Sequence, residues 1–89
     1  MSLSDDLGRR LRGEAHDVYG WSNAPGDTYS AHSHAYTKIL YCVSGSIDFR
    51  LADGTVISLG PGDRMELPSG TTHLALVGPG GVHCIEGKK

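Results

Sequence analysis

The pattern of apolar and polar positions along this chain changes period once, near residue 15. Before that point Leu7 and Leu11 lie four residues apart in a polar stretch. That spacing puts both on one face of a helix. Asp5 and Asp6 suit a helix N-terminus, and Ser4 is the predicted cap. Gly8 and Gly13 each weaken such a helix by about 1 kcal/mol. Residues 1–15 are therefore expected to form an arm, at most a short helix, suited to packing on a partner subunit. Met1-Ser2-Leu3 carries no expected structural weight.

From His16 onward the period is two, the spacing of strands. Val18 alternates with Tyr19 and Trp21, and Thr28 to His34 alternates small and polar residues. Lys38 to Val43 is β-branched and aromatic. Ile47, Phe49 and Leu51 share one face, and Asp48 and Arg50 share the other. Val56 to Leu59, the pair Met65 and Leu67, His73 to Val77, and Val82 to Glu86 complete the series. Turn signals separate these segments at Asn23 to Asp27, Ser44-Gly45, Asp53-Gly54, Gly60 to Asp63, Pro68 to Gly70, and Gly78 to Gly81. About seven or eight short strands with turns every ~6–12 residues predict an all-β sandwich or barrel. Residues 16–89 are expected to be one domain.

Composition narrows the partners. A chain of 89 residues buries a modest share of its surface, so a homodimer is expected to add apolar burial. The 13 glycines fall between apolar segments, as tight turns require. The formal net charge is -2, and the basic residues are scattered. Only Arg9, Arg10 and Arg12 cluster, beside Asp5, Asp6 and Glu14, so no nucleic-acid partner is expected. No apolar run approaches the ~20 residues of a membrane-spanning helix, so no membrane partner is expected. Cys42 and Cys84 make no disulfide framework, and no secretion signal is visible. A cytoplasmic location with reduced thiols is the expectation. A serine–histidine–acid arrangement, a phosphate-cradling loop and a CxxC motif are all missing from the sequence.

The chemistry concentrates in histidines. His32 and His34 form an H-x-H, which on a strand points both rings to one face, about 7 Å apart along the backbone. With His73 from another strand they can meet one divalent ion at ~2.0–2.1 Å and leave positions open. An isolated H-x-H is a weak signal, but its surroundings are not isolated. Gly26-x5-His32-x-His34-x3-Lys38-x6-Gly45 resembles the first motif of the cupin superfamily, G-x5-H-x-H-x3,4-E-x6-G. Gly62-x5-Pro68-x-Gly70-x2-His73-x3-Val77 resembles the second, G-x5-P-x-G-x2-H-x3-N. Gly45, Gly62 and Gly70 are read as chain reversals, where positive φ favours glycine. The resemblance implies a small jelly-roll, or double-stranded β-helix, barrel. It also implies His32, His34 and His73 as ligands of a divalent transition metal: iron, manganese, nickel or zinc.

Two positions depart from the motifs: Lys38 stands for the glutamate, and Val77 for the asparagine. Lys38 keeps strand parity with the two histidines, so its side chain is expected in the barrel. A lysine charge about 4 Å from a divalent ion is repelled by roughly 8 kcal/mol at an effective dielectric of 20. Relief comes if Lys38 loses its proton, swings away, replaces the metal, or meets an anionic ligand. Alternatively it sits solvated at the barrel mouth. Lys38 and Tyr36 are the candidate catalytic side chains. Leu40, Cys42, Met65 and Leu67 are candidates for pocket wall or plain core, with Cys42 a remote soft ligand. His16 and His83 read as surface histidines, and Trp21 and Tyr19 as covers of the barrel end or a dimer seam.

Three functions remain open at this point. The first is a small metalloenzyme of dioxygenase, isomerase or lyase type acting on a small anionic molecule. The second is a non-enzymatic small-molecule-binding barrel, with or without metal, in which Lys38 can anchor a carboxylate. The third is a structural dimerisation unit.

Overall fold

The computed structural model describes residues 2–89. Among the described residues the chain forms one helix, α1 (Leu3–Arg12), and six strands. The strands are β1 (His16–Asn23), β2 (Thr28–His32), β3 (Lys38–Leu51), β4 (Val56–Leu59), β5 (Arg64–Leu67) and β6 (His73–Lys88). All pairings are antiparallel. β3 and β6 pair along their whole length, from Lys38 opposite Lys88 to Leu51 opposite His73. β1 and β5 flank the Lys38 end of this ribbon, and β2 and β4 flank the Leu51 end. The result is two four-stranded layers that share two long bent strands. This is the all-β double-stranded β-helix that the sequence predicts.

The bends correct two of the predicted turns. Ser44-Gly45 and Gly78 to Gly81 do not reverse the chain. They are irregularities inside β3 and β6, where the register slips between Cys42 and Ser44 and between Gly45 and Ile47. Across the bend each strand exchanges its inner and outer faces once. On β3 the inward residues are Leu40 and Cys42 before the bend, and Ile47 and Phe49 after it. On β6 they are His73, Ala75 and Val77 before the bend, and Val82, Cys84 and Glu86 after it. An odd offset in a period-two element flips every later side chain. Gly62 and Gly70 do lie in reversals, both with positive φ, as expected.

Gly45 is indispensable for a second reason. Its φ is +75°, and a Cβ there would lie 2.0 Å from the Gly81 carbonyl oxygen. The two strands touch backbone to backbone at the corner, and no side chain fits between them.

The inner core joins both layers: Leu40, Cys42, Ile47, Phe49, Leu59, Met65, Leu67, Ala75, Val77, Val82 and Cys84. Leu40, Cys42, Met65 and Leu67 are thus packing residues. A second cluster covers the outside of the β1–β6–β3–β5 layer, where Leu7 and Leu11 of α1 meet Ile39, Tyr41 and Ile85. The helix packs on its own chain, with the two predicted leucines turned inward. Its cap is Ser2, whose Oγ accepts from the Asp5 backbone N–H at 3.1 Å. The expected Ser4 cap is therefore corrected by two residues, and Ser2 and Leu3 do carry structure, while Met1 lies outside the described residues.

Gly45→Ala is expected to lower stability by at least about 3 kcal/mol, combining left-handed strain with a backbone clash. Gly54→Ala, at φ +91° in open space, is expected to lose only about 1 kcal/mol. Thermal melts of the two variants check this difference, and equal losses would contradict the corner contact.

Candidate metal centre

β2 ends at His32, β6 begins at His73, and the two residues are paired across the sheet. His34 follows immediately after β2, and its carbonyl accepts the Gly70 N–H at 2.8 Å. That bond ties the histidine loop to the turn preceding β6. The three rings form a triangle, with centroids 4.4 Å (His32–His73), 5.0 Å (His32–His34) and 5.5 Å (His34–His73) apart. One ring nitrogen from each lies within 4.8 Å of the other two.

The hydrogen bonds choose which nitrogen is free. His32 Nδ1 lies 2.8 Å from the Ser30 carbonyl, and His73 Nδ1 lies 2.9 Å from the Thr71 carbonyl. A carbonyl only accepts, so each Nδ1 carries the proton and each Nε2 keeps its lone pair. Histidine ligands of metals are oriented in this way. Among the described residues, the buried side-chain polar atoms without a hydrogen-bond partner are His34 Nε2 and His73 Nε2. Buried polar atoms are seldom left unpaired, because desolvation without a partner costs about 1–3 kcal/mol. Two such unpartnered ring nitrogens on neighbouring histidines fit a divalent ion and not a packing role.

Lys38 does enter the barrel. Its side chain is 9% exposed, and Nζ lies 3.6 Å from Oε2 of Glu86, itself 5% exposed. The other Glu86 oxygen accepts the Trp21 indole N–H at 2.7 Å. The expected excess of positive charge is therefore met inside the protein by a carboxylate on β6. Lys38, Glu86 and Trp21 line one cavity with the three histidines, Tyr29 and Phe49. Its volume is about 290 Å³. Tyr36 is placed differently. It does not line the cavity, and its ring lies against His34 at 5.1 Å between centroids, with Lys88 Nζ 4.7 Å above the ring. Cys42 is in the core, where its thiol donates to the Ser44 carbonyl at 3.5 Å. Burial raises the Cys42 thiol above its ordinary range and pushes Cys84 up to about 12, so both stay protonated near neutrality. His83 pairs with Ser22 at 2.8 Å, and His16 is exposed.

A family model for the cupin domain matches residues 21–85. The chain belongs to the cupin domain family. Solved structures agree with this cupin in fold. An RmlC-like cupin from Shewanella frigidimarina superposes with a TM-score of 0.70 at 24% identity, covering 80% of this chain and 62% of that one. KdgF from Halomonas sp. gives 0.68 at 25% identity, with 80% and 66% covered. The DMSP lyase DddQ from Ruegeria pomeroyi gives 0.74 at 24% identity, with 81% and 36% covered. The cupin thus spans under two thirds of the length of the first of these. No curated protein sequence matches it.

Glu86 and Trp21 are the site residues that sequence reasoning missed. Glu86 lies an odd thirteen positions beyond His73, so strict alternation on one strand places them on opposite faces. The bend at Gly78 to Gly81 brings them to the same one. Trp21 was legible only as a cover of the barrel end or of a dimer seam. Its indole N–H, which needs a partner when buried, was the one available signal.

Burial lowers the His34 and His73 imidazoles below the ordinary histidine range, with the Lys38 charge adding to the effect in both. The unfolded chain therefore takes up protons first as pH falls. Stability is fully present above the ordinary histidine value near ~6.5 and falls as pH drops below it. Metal-free protein is expected to melt at progressively lower temperature between about pH 7 and pH 5.5, above the range where carboxylates titrate. A melting temperature that holds or rises on acidification would contradict the burial of neutral rings.

Proposed function

We propose that this cupin holds a divalent transition-metal ion on His32, His34 and His73 and acts with it on a small anionic molecule. The unpartnered Nε2 atoms of His34 and His73 are the observation that carries this reading. Iron, manganese, nickel and zinc all accept imidazole, and affinity order does not choose among them. Support also comes from the structural relatives. One is a variant of the oxalate decarboxylase of Bacillus subtilis, with a TM-score of 0.73 at 21% identity, and Mn(II) centres are named for that enzyme. Another is a DMSP lyase. A lyase or decarboxylase type of reaction therefore leads, with dioxygenation and isomerisation as the remaining members of the class.

The protein's own groups have distinct tasks. The Ser30 and Thr71 carbonyls hold the His32 and His73 rings in the ligating tautomer. Phe49, Tyr29 and Trp21 supply an apolar wall that keeps water from the reacting group. Lys38 offers an ammonium to a substrate oxygen, and Tyr36 braces His34 from the side. When bound, the ion supplies Lewis acidity to a substrate oxygen and lowers the barrier to charge development there. A metal-free binding barrel is the weaker reading, because it leaves the unpartnered Nε2 atoms of His34 and His73 unexplained.

Gently purified protein, assayed by elemental analysis, is expected to carry close to one equivalent of transition metal. His34→Ala is expected to lose it, because a ligand deletion removes several kcal/mol of binding. Wild-type protein that neither retains nor takes up Fe, Mn, Ni or Zn at micromolar concentration would contradict the reading.

A further inference from the structure

We infer that the site is built for a small dianion with two separated acidic groups, one for the metal and one for Lys38, and that Glu86 and Trp21 are the positioning residues that aim the lysine. This rests on the metal reading above and goes beyond it.

The inference starts from charge. Three neutral imidazoles contribute none. The ion contributes two positive charges, and Lys38 and Glu86 cancel as a pair buried to 9% and 5% exposure. The occupied cavity therefore carries an excess of two, and low exposure keeps water from screening it. A monoanion leaves one charge unbalanced in the barrel, whereas a dianion leaves none.

Geometry adds the second pole. The Lys38–Glu86 contact of 3.6 Å is longer than a good charged hydrogen bond, which falls near ~2.7–2.9 Å. The ammonium has three donors, and Glu86 engages it only at that distance, so donors remain for a ligand. Glu86 cannot follow a ligand, because its other oxygen is held by the Trp21 indole at 2.7 Å. Lys38 is thereby fixed as a cation in the wall of the cavity that the three histidines share. The cavity of about 290 Å³ has room for roughly ten water-sized groups, which suits a short diacid.

Glu86 also separates this site from one with an ordinary carboxylate ligand. The nitrogens within 4.8 Å of one another belong to the three histidines alone among the described residues, and Glu86 is not in that group. Its two oxygens serve Trp21 and Lys38 instead.

The test compares succinate with butyrate, a dianion and a monoanion of equal carbon number, by affinity for Mn(II)-loaded protein. Metal content is measured on the same samples. Wild type is expected to bind succinate at least tenfold more tightly than butyrate. Lys38→Met is expected to lose that preference by a factor of ten or more while keeping its metal. Lys38→Gln reads the same if the methionine variant fails to fold. Equal affinities in metal-loaded wild type, or a preference that survives both Lys38 substitutions, would overturn this inference alone. Wild type that takes up no metal would overturn the metal reading and this inference with it.

Discussion

The pairing of β3 with β6 is the constraint on which everything else depends. These two strands run through both layers, and all four other strands attach to them. Where they pass from one layer to the other, Gly45 and Gly81 meet backbone to backbone, and both have positive φ. The slip at that corner turns each strand over. Without it, the face of β6 that carries His73 into the barrel would carry Glu86 out of it. Fold and site are thus joined by one local irregularity: it closes the sandwich and delivers the counter-charge to Lys38.

That counter-charge explains how a lysine occupies a place where the related motif has a glutamate. A lysine facing a divalent ion is repelled by an amount comparable to the stability of a whole domain. The protein keeps the lysine and supplies the carboxylate from a neighbouring strand. A buried pair of this kind adds little net stability, because desolvation of both charges offsets their attraction. Its place in the cavity wall, next to the histidines, is better explained by what it presents to a ligand than by what it adds to the fold.

Much of this was legible in the sequence. The alternation of Ile47, Phe49 and Leu51 with Asp48 and Arg50 appears as drawn, and so does the helix face of Leu7 and Leu11. The convergence of His32, His34 and His73 followed the motif spacing, and Lys38 faces inward as expected, although the irregular loop between β2 and β3 interrupts the parity behind that expectation. The two misread turns share one cause. Glycine signals at Ser44-Gly45 and Gly78 to Gly81 were read as reversals, because a turn and a bulge both call for positive φ. The distinction lies in the partner strand, which is a tertiary fact. Once those corners are bulges, the parity of Val82, Cys84 and Glu86 inverts, and Glu86 moves from the outside to the site. Tyr36 sits in an irregular loop between β2 and β3, where alternation has no meaning, so its place beside His34 could not be read from spacing.

The central claim is that Glu86 makes a metal tolerable beside Lys38. The most direct measurement is the metal affinity of three proteins: wild type, Glu86→Gln, and the double variant Lys38→Met with Glu86→Gln. Removing the carboxylate alone leaves an uncompensated buried cation near the ion, so Glu86→Gln is expected to bind metal at least about tenfold more weakly. Removing both charges is expected to restore affinity to near the wild-type value. Unchanged affinity in Glu86→Gln, with a folded protein by thermal melt, would contradict the account.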